Sequence, residues 1–174
     1  QLSAQGAPGH SSMPPAAGQS AIGRLAAALA RLDAHPMPAA LQGVAQPMFA
    51  ALAPDMGWVQ RVVLTNLWLF GPLVQAQLEK APATNAMLRT TAALTVVHAG
   101  VKENVLPGRA DATVNFRLLP GDTPQAVLEH VRRVVDDPAV ELRIAPGAAA
   151  ASPVSATDSA SYRLLNRTVR EAFP

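Results

Sequence analysis

The residues most able to do chemistry in this chain sit in, and just before, one alternating run from Arg109 to Leu118. Ala110, Ala112, Val114, Phe116 and Leu118 fall on one face of it; Asp111, Thr113, Asn115 and Arg117 fall on the other. A period of two marks a half-buried strand. Arg117 is therefore presented from the polar face of a strand rather than from a loop. Asn104 lies in the connection that precedes it. A planar amide and a guanidinium fork, brought together, suit a carboxylate or another small oxyanion. The third candidate is His10, in the loop Gly9-His10-Ser11-Ser12. A glycine before a histidine lets the backbone approach a ligand closely, although on its own this reads as a surface-loop histidine.

Other chemistries find little support. The four histidines, His10, His35, His98 and His130, stand in no HxD or HExxH setting, so no metal-ligating cluster is legible. His98 reads as a strand-end residue hydrogen-bonded to backbone. Asp136-Asp137 ends a helix before Pro138 and reads as solvated. Ser11 and Ser12 are too close in sequence to His10 to align as a nucleophile pair. There is no GxSxG, P-loop or GxGxxG. No cysteine is present, which excludes disulfides and thiolate metal sites without fixing a compartment. The longest basic run is Arg132-Arg133, so a nucleic-acid role has no footprint. The most apolar stretch, Val62 to Val74, is interrupted by Thr65, Asn66, Gly71 and Pro72 and is too short to span a bilayer. Taken alone, the chain shows an oxyanion-binding candidate and a loop histidine, without the machinery for a complete reaction.

The elements that position these residues follow from periodicity. The 174 residues suit one domain; 49% are hydrophobic but only 4% aromatic, which predicts an aliphatic core. A short extended piece opens the chain, followed by a Gly/Pro-rich loop to Gly18. A helix is predicted over 20–34, capped by Ser20, with Ile22, Leu25, Leu29 and Leu32 inward, and stopped by Pro36 and Pro38. Residues 37–87 form a helical block. Within it Met37, Leu41, Val44, Met48 and Leu52 suggest one helix broken by Pro47 and Pro54; Trp58 to Leu67 is helix or strand; Leu69 to Leu78 is a further helix. Trp58 and Trp68 read as local packing. Thr90 to Val97 is a strand. After the Ala99–Gly108 connection and the Arg117 strand, Thr123 caps a helix that starts at Pro124 and turns Val127, Leu128, Val131 and Val134/Val135 inward. Val140, Leu142 and Ile144 alternate as a last strand. Residues 145–157 are linker, and a final helix carries Tyr162, Leu165, Val169 and Phe173 on one side. The β-α-β-β-α-β order predicts an α+β two-layer sandwich: an antiparallel four-stranded sheet covered by two helices.

Three segments together resemble the lid (dimerisation) domain of the M20 family of zinc metallopeptidases, in its carboxypeptidase S-like branch. They are Gly9-His10-Ser11-Ser12-Met13-Pro14-Pro15, Gly100-Val101-Lys102-Glu103-Asn104-Val105-Leu106-Pro107, and Val114-Asn115-Phe116-Arg117-Leu118-Leu119-Pro120-Gly121-Asp122-Thr123. The resemblance implies a ferredoxin-like lid over residues 1–150, with a helical insert at about 37–87 after the first helix. It implies that residues 151–174 are a linker and a helix re-entering a catalytic domain outside this sequence. It implies that His10 stabilises the oxyanion of a scissile amide, commonly in the partner subunit's site. Asn104 and Arg117 would hold the substrate carboxylate, and Gly9 would keep the His10 loop close to its neighbours. The implied cofactor is zinc, two ions in the parent enzyme and none bound by this chain. The implied partners are a second copy through the lid, the catalytic domain, and a peptide or N-acyl amino acid substrate. The opening Gln1-Leu2-Ser3-Ala4, without an initiating Met, is expected to lie inside a longer protein. The rival expectation is a non-catalytic α+β self-association module.

Overall fold

The computed structural model describes residues 1–173. A four-stranded antiparallel sheet carries the chain in the order β3-β5-β1-β6. Its strands are β1 (Leu2–Gln5), β3 (Thr91–Ala99), β5 (Arg109–Arg117) and β6 (Val140–Leu142). Two short strands, β2 (Gly9–His10) and β4 (Val105–Leu106), pair apart from it. Helices α1 (Ala21–Ala34) and α6 (Pro124–Val135) pack on each other and on one face of the sheet. The expected two-layer sandwich is therefore present.

Both helices begin where a hydroxyl satisfies a free backbone donor. Ser20 accepts from the Gly23 N–H at 3.0 Å and Thr123 from the Ala126 N–H at 3.2 Å. Their shared core joins Leu25, Ala28 and Leu32 to Val127, Val131 and Val135, with Leu2, Ala4, Ala110, Ala112, Val114 and Val140 of the sheet beneath. The inward stripe of α1 is Ala21, Leu25, Ala28 and Leu32, while Ile22 is largely exposed. The expected Ile22 stripe is thus rotated: alanine, with only a methyl group to accommodate, lets the helix lie close to the sheet. Arg31 donates to the Val135 carbonyl, and His130 Nε2 lies 3.1 Å from the His35 carbonyl, fastening the two helix ends. Asp137 is not merely solvated: it accepts from the Ala139 N–H at 2.9 Å and lies 3.5 Å from Arg24.

Between α1 and β3 the chain makes α2 (Ala45–Leu52), a single 3-10 turn (Ala53–Asp55), α3 (Trp58–Thr65), α4 (Leu67–Leu78) and α5 (Pro82–Asn85). The helix expected from Met37 starts only at Ala45. Pro47 then falls in the first turn, where its missing N–H costs nothing, and Met37 joins the main core instead. Trp58 to Thr65 resolves as helix. The stem of this insert is held by Ala40 N donating to Leu88 O at 2.9 Å, Arg89 Nη1 donating to Met37 O at 3.1 Å, and an Arg89–Glu79 ion pair at 2.7 Å. Trp58 and Trp68 are 78% and 81% exposed, which overturns the local-packing expectation. The final helix, α7 (Ala160–Ala172), is capped by Ser159 and leaves Tyr162, Leu165, Val169 and Phe173 exposed.

Candidate functional site

Beyond the sheet, β1 and β5 do not part. After Gln5 pairs with Arg109, Gly6 N donates to Gly108 O at 3.1 Å. Gly9 then pairs with Leu106 and His10 with Val105, and Ser11 N donates to Asn104 O at 3.1 Å. The register slips by one residue between these two stretches. The slip falls where Pro8 and Pro107 have no N–H to contribute to a ladder. The result is a two-stranded ribbon growing out of the sheet, with His10 and Asn104 side by side at its tip. What was expected to be loop on both sides is paired backbone.

The ribbon leaves the sheet against the start of α1. A Cβ at Gly6 would lie 2.4 Å from the Ala21 nitrogen, so only glycine fits. A Cβ at Gly9 would meet nothing nearer than Leu106 Cδ1 at 3.8 Å, an ordinary contact. Within the chain, the glycine demanded by close approach is Gly6, which no motif had singled out.

His10 is exposed, but its ring is held. Nδ1 lies 2.8 Å from Ser12 Oγ and accepts from the Ser12 backbone N–H at 3.2 Å. A nitrogen that accepts from a backbone N–H carries no proton in the neutral ring, so the proton sits on Nε2. That N–H has no partner among the described residues. Ser12 thus acts as an orienter for a donor aimed outward, not as a nucleophile.

Arg117 ends β5, opposite Thr91 of β3, on the sheet face away from the helices. It is exposed and forms no ion pair among the described residues. The nine-residue length of β5 separates it from the foot of the ribbon, eight steps from Arg109 to Arg117 or about 27 Å at the rise of an antiparallel strand. Within one chain, therefore, Asn104 sits with His10, and Arg117 sits at the far end of the sheet. One protomer does not bring Asn104 and Arg117 onto a common ligand.

The remaining polar face is structural. Arg109 grips Asp111 through Nε at 3.0 and 2.9 Å and Nη2 at 2.8 Å. These hydrogen bonds hold the Asp111 carboxyl below the usual carboxylate range and raise Arg109 above its ordinary value. His98 does not end its strand: it lies within β3 opposite Asp111, exposed, and its ring has no backbone partner among the described residues. No three His, Asp or Glu among the described residues converge as a metal would require. A groove of about 300 Å³ between α6, β5 and the 143–149 segment is lined by none of His10, Asn104 or Arg117.

The chain is thus an antiparallel sheet backed by two helices, with a ribbon of backbone at one corner. Residues 1–143 match the M20 peptidase dimerisation domain. The chain belongs to that family. It is similar to the N-fatty-acyl-amino acid synthase/hydrolase PM20D1 of Xenopus tropicalis, 45% identical over 168 residues, covering 95% of this chain and 32% of that protein. The Homo sapiens protein of the same name is 44% identical over 169 residues, covering 95% and 33%. A probable carboxypeptidase S-like 2 of Dictyostelium discoideum is 39% identical over 166 residues, covering 95% and 31%. The chain spans about a third of the length of these relatives.

Proposed function

We propose that this chain is the lid and dimerisation domain of a zinc-dependent M20 hydrolase that cleaves N-acyl amino acid amide bonds. The observation that carries this is the ribbon tip, where a fixed His10 presents a free Nε2–H beside Asn104. A donor placed in advance where negative charge will develop is the economical way to stabilise a tetrahedral oxyanion. His10 Nε2–H would donate to the carbonyl oxygen of the scissile amide, and the bond strengthens as that oxygen becomes anionic. Arg117 and Asn104 would hold the substrate carboxylate, the guanidinium as a charge-assisted fork and the amide as a second donor. The zinc ions of this reading, two in number, would belong to a catalytic domain of the same polypeptide outside this chain, where they would activate water and polarise the carbonyl.

The distance along β5 shapes the proposal. His10 and Asn104 on one side, and Arg117 on the other, serve one centre only if they come from two chains. The long edge strand β3 supplies the seam: nine residues with one row of unpaired N–H and C=O groups, the natural place for a second copy to pair. Each centre then takes its oxyanion donor and amide from one lid and its arginine from the other. The similarity to carboxypeptidase S-like proteins makes a C-terminal peptide bond the second substrate class; both classes carry a free carboxylate next to the cleaved amide.

The test is complementation in the full-length protein. His10→Ala should lower kcat by about 10²–10³, the usual cost of one oxyanion donor, with KM little changed. Arg117→Ala should act mainly through KM. Refolding the two variants together should restore about a quarter of wild-type activity, since in a symmetric dimer half the assemblies are mixed and each has one centre with both residues intact. No recovery would place all three residues in one chain's centre. Wild-type kinetics for both variants would leave the non-catalytic association module as the reading.

A further inference from the structure

Strand β5 carries two arginines on its outer face, one at each end. Each has an aspartate or asparagine two positions away: Arg109 with Asp111, and Arg117 with Asn115. Side chains two apart on a strand point to the same side. At the first end the pair closes on itself. Arg109 Nε lies 3.0 and 2.9 Å from the two Asp111 carboxylate oxygens, and Nη2 lies 2.8 Å from one of them. This spacing therefore lets a guanidinium meet the side chain of its neighbour. At the second end an amide of the same shape stands in place of the carboxylate. An amide cannot neutralise a guanidinium. Asn115 and Arg117 are both exposed, and neither has a side-chain partner among the described residues.

The described residues around this pair supply no missing charge. Across the ladder Arg117 faces Thr91 and Asn115 faces Ala93, and β3 contains no acidic residue. Asp122, five positions on, accepts from the Thr90 hydroxyl and makes no ion pair with Arg117. Asp111 is six residues from Arg117, about 20 Å along the strand, and is already engaged. The fork of Arg117 and the amide N–H groups of Asn115 are thus donors on one face, opposite the small Ala93, without a common acceptor. We propose that Asn115 is a substrate-binding residue that forms, with Arg117 of the same chain, a two-residue clamp for the substrate carboxylate. The ligand brings to this end of β5 the charge that Asp111 builds into the other. The proposal rests on the hydrolase reading above and adds a donor that travels with Arg117, whereas Asn104 arrives from the other lid. It also gives the asparagine a reason. An aspartate there would occupy the guanidinium as Asp111 occupies Arg109, and would repel the incoming anion.

The test uses full-length protein and four substrates: N-acetyl-leucine, N-dodecanoyl-leucine and the two corresponding leucinamides, which keep the cleaved amide but carry no carboxylate. Wild type should cleave the acids in preference to the leucinamides. Asn115→Ala should raise KM for the acids about tenfold, the lower end for a hydrogen bond to a charged group. Its kcat should change little, as for a contact made equally in the ground and transition states. Its kcat/KM for the leucinamides should not move. Asn115→Asp, nearly the same in shape, should lose more than Asn115→Ala on the acids and again spare the leucinamides. Neither variant should lower the melting temperature. Wild-type KM in Asn115→Asp overturns the clamp, because a residue that merely packs tolerates its isostere. An equal fall on acids and leucinamides, or a lowered melting temperature accompanying the loss, makes Asn115 structural and likewise overturns it. Each of these results leaves the hydrolase reading to stand on His10→Ala and Arg117→Ala. If wild type cleaves none of the four substrates, the hydrolase reading itself fails and the clamp falls with it.

Discussion

The sheet-and-helix body and the helical insert use the same aliphatic residues in opposite ways. In the body, Leu2, Ala4, Leu25, Val131 and Val135 are buried between two layers. In α3 and α4 no residue is buried, and the two tryptophans stand almost free in solvent. The cause is geometric. A sheet face and two crossing helices enclose a volume, whereas two short helices joined end to end have nothing to close against on their outer side. The body is a finished folding unit, and the insert is anchored to it chiefly through its stem. A surface left open in this way is available for binding, at little cost to the stability of the body.

That contrast has measurable consequences, the largest in the core. Leu25 is 2% exposed at the centre of α1. Leu25→Ala should cost about 2–5 kcal/mol in urea unfolding, the transfer loss plus a cavity. A result below 1 kcal/mol would mean that the body is not tightly packed. The stem comes next. Arg89 joins Glu79 of the segment after α4 to the Met37 carbonyl and is largely buried. Arg89→Ala should cost about 1–3 kcal/mol through the lost charged hydrogen bonds. It should also speed amide exchange in α4 while leaving α1 and α6 protected. Equal loosening of all three helices would erase the distinction between body and insert.

Trp68→Ala should change unfolding free energy by less than about 0.5 kcal/mol, as for a surface position without special contacts. A core-sized loss there would show that the insert packs inward after all. The smallest effect is expected at Arg109–Asp111, an ion pair open to solvent on both sides. Asp111 has its folded pKa depressed, so its contribution is present above the usual carboxylate range, about pH 4. It is lost as pH falls through the lower folded value. Asp111→Asn should remove a slight acid-limb slope in stability below about pH 4, costing a little stability near neutrality and nothing once the carboxyl is protonated. The ring of His10 provides a check without mutation: long-range proton–nitrogen correlation should show a protonated Nε2 and a bare Nδ1.

Much of the body was legible in the sequence because its elements carry strong periodicity. The alternation from Ala110 to Leu118 predicts both the strand and the polar placement of Arg117, and the structure buries Ala110, Ala112 and Val114 while exposing Arg117. Ser20 and Thr123 mark their helix starts because a hydroxyl at that position has one obvious donor to satisfy. Illegible elements were those shorter than any period. β2 and β4 have two residues each, so no pattern of apolar spacing can announce them. Gly6 was missed for a related reason: its necessity comes from the Ala21 nitrogen, a neighbour fifteen positions away in the chain.

Residue types and their local spacing thus determined by themselves which side chains have chemistry to offer: a loop histidine, an amide and a guanidinium. Chemistry of that kind is a property of a functional group and travels with the sequence. Only the tertiary structure decided that His10 and Asn104 share a ribbon tip, that Arg117 stands at the other end of β5, and that the tryptophans face outward. Those are distances between segments remote along the chain. They are set by ladder register, by two prolines that interrupt it, and by what the core has room to enclose.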